Sequence, residues 1–401
     1  MDKKIYDNSV RDQVLALQTM AEVQREKCFD LDKLHGVLND QTAGRIRRVL
    51  LTGCGDSYSA VGAMLSGFKK LSGIQKSNSP DIMDFCCFYT DEKIRKGFRP
   101  QEVLVVAISF SGGSERVADA LEKANALGLE SVLITRNSDS KAGKVAKHIL
   151  NVETPDGCNT PGLRSYYASM VGIAALGAYL GICNGHTTVQ QFEEIGKQIA
   201  DYTMTFMEDF DRIDDQMFSQ ALLMKDLTRF EIIADWNEGY SAQFVEQKFI
   251  ECGGVFCDHT TSEEFAHIGF FHREPSSFGM VIMINEVDPS LSRMRDTVFG
   301  CLAQHRPTEV VSDADPSVFE NSNTELDPSL NFYGKSAVGY NSMASAGKAF
   351  VCRIAKAPKQ WMSPFVSFIP GSLLAGYQAA VNEHNFFCGR YDFRKQTWSM
   401  E

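Results

Sequence analysis

The 401-residue chain lacks an apolar run as long as a membrane span, and its amino terminus lacks the apolar core of a signal peptide. It also lacks a basic excess, because 40 Lys and Arg stand against 51 Asp and Glu, for a net charge of -11. These absences argue against export, against a membrane partner and against nucleic acid as the main partner. We therefore expect a cytoplasmic protein that holds any anionic ligand by local dipoles and hydroxyls.

Paired cysteine motifs are also missing. The 11 cysteines are odd in number and scattered, which predicts reduced thiols and not a disulfide or zinc framework. Glu264-x-x-His267 is half of a carboxylate-bridged metal motif whose second half is absent, and His259 and His272 have no recognised ligand spacing. We expect no metal and no organic cofactor.

The most informative segment that is present is residues 103–117. The apolar run from Val103 to Ile108 predicts a buried parallel strand, and apolar residues at three- and four-residue spacing predict a helix after it. The turn between them contains three serines and two glycines: Ser109, Ser111, Gly112, Gly113 and Ser114. Free backbone N–H groups at a helix N-terminus, small side chains and hydroxyls together predict a phosphate site. The alternative is an N-cap with a flexible loop.

A second turn of the same design lies upstream. Residues 48–52 predict a buried strand, and the next helix opens with Gly-Cys-Gly-Asp-Ser, which contains Gly55 and Ser57. A dinucleotide fingerprint would need a third glycine and a later acidic residue, and both are missing, so NAD is disfavoured. Two such turns at one edge of a parallel sheet can instead converge on one phosphate. Gly55 and Ser57 would then join the three serines of the other turn.

Strand and helix candidates alternate in two blocks, which suits the length of the chain. The predicted segments are N-terminal helices (1–44), a first domain (45–190), a helical linker (191–227), a second domain (228–385) and a tail (386–401). The second block begins with a strand at 230–235, and further strands are predicted at 279–284, 309–312 and 349–354. The predicted fold class is α/β, with two doubly wound parallel sheets and flanking helices.

The two serine turns resemble the motifs of a known family. Residues 53–60, GCGDSYSA, resemble the first motif of the sugar isomerase (SIS) family, and residues 108–152 resemble its second motif and the segment that follows. The agreement covers roughly 100 residues in register. The family includes the isomerase half of glutamine–fructose-6-phosphate amidotransferase, which has two SIS domains. The resemblance implies two flavodoxin-like SIS domains, a phosphorylated sugar or amino-sugar substrate, and a homodimer or tetramer.

The resemblance also implies catalytic residues in the second block. In the amidotransferase, a Lys-Glu pair on one helix and a histidine downstream have the mutual spacing of Glu251 and His267, which are 16 positions apart. Glu251 would move a proton between C1 and C2 of the sugar, and His267, which often reaches the neighbouring subunit's pocket in this family, would open the ring. Lys395 in the tail is the candidate for an imine with the open-chain sugar. Ordinary surface positions for these three residues are the alternative.

A further segment, residues 161–169, corresponds to the family segment that lines the sugar. Ser165 keeps the family serine, whereas Arg164, Tyr166 and Tyr167 depart from it. Ser165 and Tyr166 are therefore candidate substrate contacts, and the tyrosines with Trp398 could cover a substituent on nitrogen. Packing between helix and sheet is the alternative for the two tyrosines.

These features predict a phosphosugar isomerase-type enzyme that moves a proton between C1 and C2 of an open-chain, amino-substituted hexose 6-phosphate. We favour a fructosamine-6-phosphate deglycase or an amino-sugar-phosphate isomerase or deaminase. A simple ketose/aldose-phosphate isomerase and a non-catalytic phosphosugar-binding regulator are the alternatives. Because the chain starts directly before the first SIS-like block, we expect no glutaminase activity.

Overall fold

A computed structural model describes residues 3, 6, 8–154, 160–320 and 349–388. They form two parallel sheets, of four and five strands, surrounded by helices, which confirms the predicted α/β class. The described residues between Leu15 and Met204, apart from 160–161, make the first of two compact units. Those up to Val14 and from Thr205 onward make the second. The segment boundaries given above stay predictions.

The first unit is built around a sheet with the strand order β1-β2-β3-β4. Three helices precede it: α1 (Ser9–Cys28), α2 (Leu31–Val37) and α3 (Asp40–Ala43). The remaining elements follow in chain order: β1 (Arg48–Gly53), α4 (Asp56–Ser72), α5 (Asp91–Arg95), β2 (Val103–Ile108), α6 (Glu115–Ala126), β3 (Glu130–Thr135), α7 (Lys141–Val145), β4 (His148–Asn151) and α8 (Arg164–Cys183). Asn78 forms a parallel bridge to Leu50 on the side of β1 that faces away from β2. The chain after β1 therefore first lies on one side of this strand, at Asn78, and then crosses to the other side to form β2. This switch point is where open α/β sheets bind ligands.

The second unit repeats this plan with the strand order β6-β5-β7-β8-β9, the flavodoxin order. Helix α9 (Val189–Glu208) leads into it. Its elements are α10 (Phe210–Leu223), β5 (Arg229–Ala234), α11 (Glu238–Gly253), β6 (Phe256–Thr260), α12 (Ser262–His267), β7 (Phe278–Ile284), α13 (Leu291–Ala303), β8 (Thr308–Ser312), β9 (Phe350–Arg353) and α14 (Phe368–Val381). The strands predicted from residues 230, 279, 309 and 349 onward correspond to β5, β7, β8 and β9.

Helix α8 corrects the expectation that no apolar segment of the chain is as long as a membrane span. Among the described residues it is long and apolar enough to cross a membrane by length and composition alone, although 89% of that window is buried inside the protein. Two glycines let it pack closely: a Cβ on Gly177 would lie 3.0 Å from the Phe68 ring of α4, and one on Gly172 would lie 3.1 Å from Ile134 of β3. The apolar composition of α8 is therefore explained by its place in the core of the first unit.

Candidate functional site

The two serine turns meet at one edge of the first sheet. Gly53 ends β1 directly opposite Ile108, which ends β2. A Cβ on Gly53 would lie 3.0 Å from the Ile108 carbonyl oxygen and 3.2 Å from Ser57 Cβ, so glycine allows α4 to start beside the end of β2. Cys54 Sγ lies 3.5 Å from Ser114 Oγ and joins the turns directly. We call the resulting surface the serine cradle: Gly55, Ser57, Ser109, Ser111, Gly112, Gly113 and Ser114.

The hydroxyls of the serine cradle are not used for helix capping. Ser114 is the N-cap residue of α6, yet its side chain makes no capping hydrogen bond. Ser111 Oγ accepts a hydrogen bond from the Gly113 N–H at 3.3 Å, and the buried Ser109 is anchored through its own N–H, which donates to the Ile134 carbonyl. Ser57 is half-buried in the first turn of α4. This arrangement argues against the N-cap alternative and keeps hydroxyl donors at the edge of the sheet.

Two glycines shape the backbone of the serine cradle. Gly55 caps α4 with φ +53°, and Gly112 has φ +70°, values that residues with a side chain rarely adopt. A Cβ on Gly112 would also overlap the Ser140 hydroxyl. The cradle thus combines the N-termini of α4 and α6 with small residues that leave room for an anion.

Ser165 lies beside the first turn of α4. A Cβ on Gly162 would be 2.6 Å from Ser165 Oγ and 3.8 Å from Asp56 Oδ2, so the start of α8 lies against the start of α4. Ser165 is half-buried, as a substrate contact would be. The structure therefore places Ser165 near Asp56 at the start of α4, and its role as a substrate contact stays a prediction.

Tyr166 does not fit the role suggested for it. Its side chain is 1% exposed, and Tyr167 is fully buried with its hydroxyl 2.9 Å from Thr203 Oγ1. Both rings pack within the first unit because the inner face of α8 turns toward the sheet. Tyr166 is a core residue here, which favours the packing alternative over a substrate contact.

In the second unit, Glu251 is held by a buried lysine. Lys248 Nζ lies 2.5 Å from Glu251 Oε2, one turn earlier on α11, and it also lies 4.5 Å from the centre of the Phe244 ring. The Lys248 side chain is fully buried, whereas that of Glu251 is 31% exposed. An ion pair at this distance fixes the direction of the Glu251 carboxyl group. Lys248 was not among our candidates, although its i,i+3 spacing to Glu251 on a helix is a usable sequence signal.

Near the carboxyl terminus of the protein, the chain returns to the end of α11. The Phe387 N–H donates a 2.7 Å hydrogen bond to the Glu251 carbonyl oxygen. A Cβ on Gly254, which caps α11 with φ +63°, would lie 3.5 Å from Cys388 Cβ. The last described residues therefore lie against the end of α11. Lys395 and Trp398 are outside the described residues.

His267 ends α12 at the surface of the second unit. Its Nε2 lies 3.0 Å from Glu263 Oε1, and Glu263 is bound in turn by Arg293 at 2.8 Å. The His267 side chain is 68% exposed, and its neighbours Ile268 and Phe271 are apolar and largely exposed. Within one chain, then, the imidazole pairs with Glu263 and not with Glu251.

One group of side chains has the donor set of a cation site. Glu246 of α11 and Asp258 and His259 of β6 each offer one ligand atom, and these atoms lie within 4.8 Å of one another. His259 Nδ1 is in close contact with Glu246. Sequence spacing could not reveal this group because its members come from two elements. All cysteines of the described residues are free thiols.

Comparison with known proteins supports the same fold. Residues 100–179, from the start of β2 into α8, match the SIS domain family. The C-terminal domain of glucosamine-fructose-6-phosphate aminotransferase from Francisella tularensis has a TM-score of 0.76 at 12% identity, covering 96% of this chain and 99% of that one. No curated protein matches the chain in sequence.

Two other solved structures share the architecture. Tagatose-6-phosphate ketose/aldose isomerase from Escherichia coli has a TM-score of 0.63 at 11% identity, covering 91% of both chains. Glucosamine-6-phosphate deaminase from Thermotoga maritima has a TM-score of 0.56 at 15% identity, covering 92% of this chain and 96% of that one. At these identities, the likeness establishes the fold alone.

Proposed function

We propose that this chain, whose residues 100–179 are a SIS domain, is a phosphosugar isomerase-type enzyme. The reaction is the transfer of a proton between C1 and C2 of an open-chain hexose 6-phosphate. The serine cradle binds the phosphate, and Glu251 is the base. The observation that carries the proposal is the ion pair between buried Lys248 and partly exposed Glu251, because it holds one carboxylate in a fixed direction at an accessible position.

The proton transfer needs no redox step. Glu251 removes the proton from one carbon, and the C–H electron pair forms a C=C bond to the neighbouring carbonyl or imine carbon. The π electrons of that group move to its oxygen or nitrogen, which takes up a proton, and an enediol or enaminol forms. The same carboxyl group returns the proton to the other carbon. His267 assists by moving the proton that opens the sugar ring, which suits an imidazole near neutral pH. Lys395 remains a candidate for the imine with the open-chain sugar.

We further propose that His267 acts from a second copy of the chain. It is exposed, and it is flanked by the apolar side chains of Ile268 and Phe271, which form the kind of patch that an interface covers. A homodimer of this type, located in the cytoplasm and using no metal or organic cofactor, is the simplest assembly that supplies both groups. The substrate class we favour is an amino-substituted ketose 6-phosphate.

For that substrate, the same proton shuttle leads to isomerisation or, after water adds to the imine carbon, to release of the amine. This would make the protein a fructosamine-6-phosphate deglycase or an amino-sugar-phosphate isomerase or deaminase. The support is the amidotransferase-like spacing of Glu251 and His267. Simple ketose/aldose isomerisation and phosphosugar binding without catalysis are the other outcomes that the following experiment separates.

The test measures hydrogen exchange in deuterated water, at C1 for fructose 6-phosphate and a fructosamine 6-phosphate and at C2 for glucosamine 6-phosphate. We expect Glu251→Gln to lower exchange about 10²–10⁴-fold with little change in binding, because the amide cannot accept the proton. Glu264→Gln, an exposed carboxyl in the same unit, is the control and should exchange like the wild type. Unchanged exchange in Glu251→Gln would refute the mechanism. Binding without exchange in the wild type would identify a regulator.

A further inference from the structure

Arg136 and Phe110 form a pair at the rim of the serine cradle. The pairing of β2 with β3 continues past both strand ends: the Ser109 N–H donates to the Ile134 carbonyl at 3.1 Å, and the Arg136 N–H donates to the Phe110 carbonyl at 3.0 Å. The guanidinium carbon of Arg136 lies 5.5 Å from the centre of the Phe110 ring. Phe110 stands between Ser109 and Ser111, so this cation lies next to the turn with most of the cradle hydroxyls.

The pair lies at the carboxyl end of the first sheet, beside the second serine turn. Arg136 directly follows Thr135, the last residue of β3, and its side chain is exposed. The hydrogen bond from its N–H to the Phe110 carbonyl holds this part of the chain against the turn. Arg136 is therefore an exposed cation next to the turn that contains Ser109, Ser111 and Ser114.

The positive charge of Arg136 would help the serine cradle to bind an anion. The serine cradle offers hydroxyl and amide donors, which are neutral, while the chain as a whole carries a net charge of -11. A phosphate dianion approaching such a chain is repelled at long range, and a fixed cation at the rim opposes that repulsion. Arginine suits the task, because its planar guanidinium can bind phosphate oxygens in pairs and can lie flat on an aromatic ring.

We propose that Arg136, held on the Phe110 ring, is a positioning residue that supplies the positive charge for the phosphate of the substrate. This inference rests on the proposed function of the serine cradle as a phosphate site. Arg136 takes no part in the proton transfer. Its loss should therefore raise KM and leave kcat nearly unchanged, whereas loss of Glu251 lowers kcat.

The test compares Arg136→Gln and Arg136→Lys with Lys76→Gln, which removes the same charge at the opposite, amino end of the sheet. Lys76 is exposed, and its carbonyl is bound by Arg48 at the start of β1. Calorimetry with inorganic phosphate and fructose 6-phosphate is run at low and high salt. We expect Arg136→Gln to bind about tenfold more weakly at low salt, with a smaller difference at high salt because the charge is screened.

Arg136→Lys should recover part of the affinity, and Lys76→Gln should bind like the wild type. The proposal is overturned if Arg136→Gln binds both anions as tightly as Lys76→Gln at low salt, or if the wild type binds neither anion. Thermal unfolding of each variant shows that the comparison is between folded proteins. A wild type that binds fructose 6-phosphate with the expected Arg136 effect, yet exchanges no hydrogen at C1 of that sugar or at C2 of glucosamine 6-phosphate, would refute the enzymatic function alone.

Discussion

Glu309 illustrates how a single side chain can couple folding to pH. It is the second residue of β8 and is fully buried, and its Oε1 accepts a 2.6 Å hydrogen bond from the Gln216 amide. Burial raises the pKa of Glu309 well above its ordinary value, more than the bond from Gln216 lowers it. The folded protein therefore holds a proton on this carboxyl that the unfolded chain releases near pH 4.5.

The sign of the effect on stability follows from that difference. The favourable contribution of Glu309 is complete below about pH 4.5 and is lost as the pH rises toward the folded-state pKa. We expect Glu309→Gln, which keeps the shape and the acceptor for Gln216, to increase the free energy of unfolding at pH 8 by about 1–3 kcal/mol. At pH 4 the substitution should have little effect.

Urea unfolding of the wild type and of Glu309→Gln at pH 4 and at pH 8 measures the change in the free energy of unfolding. Glu193→Gln is the control, since Glu193 is exposed on α9 and should show no such pH-dependent gain. An equal stability of the wild type and Glu309→Gln at pH 8 would contradict the prediction.

At the scale of elements, the serine cradle depends on how two strand-to-helix turns are closed. Gly112 lies at the centre of the second turn, where its N–H donates to the Ser109 carbonyl at 3.1 Å and its φ is +70°. Gly113 follows, and a Cβ there would meet only Ser111 Oγ, at 3.7 Å. Two adjacent glycines thus differ in what a methyl group would disturb.

We expect Gly112→Ala to distort the turn, because alanine is strained at this φ and its methyl group would overlap Ser140. Phosphate affinity measured by calorimetry should fall at least about tenfold, and the free energy of unfolding should fall by about 1–3 kcal/mol. Gly113→Ala should change both quantities little. Similar behaviour of the two variants would show that the turn does not depend on Gly112.

At the scale of the whole molecule, the surface around His267 carries large exposed apolar side chains. Phe271 is 79% exposed, and Ile268 is nearly as exposed beside the imidazole. Exposed apolar side chains of this size next to a candidate catalytic group are typical of an interface between subunits. The proposed homodimer would cover them.

We expect Phe271→Asp to yield monomers, because a carboxylate is unfavourable in an apolar interface. Light scattering measures the mass, and the hydrogen-exchange assay should show at least a tenfold loss of exchange while phosphate binding persists. Phe88→Asp is the control: Phe88 is also largely exposed but lies in the first unit. A monomeric wild type with full exchange activity would contradict both the dimer and the role of His267 in it.

Much of the fold could be predicted because parallel strands buried on both faces are apolar throughout. The runs that became β2 and β7 are of this kind, and all their residues are buried. The polar edge strand β6 was not predicted, since it contains Asp258 and His259 and leaves Phe256 exposed. Helix α8 was underestimated as an apolar run because its two serines, its tyrosines and its glycines interrupt the apolar pattern.

The sequence by itself determined the features that depend on near neighbours: the serine turns, their glycines, and the spacing of Lys248 and Glu251 along one helix. Only the tertiary structure decided which side chains are buried and which distant ones meet. It placed Tyr166 in the core, set Arg136 on Phe110, and grouped Glu246 with His259. Local patterns follow from backbone geometry over a few residues, whereas burial and convergence depend on how separate elements pack.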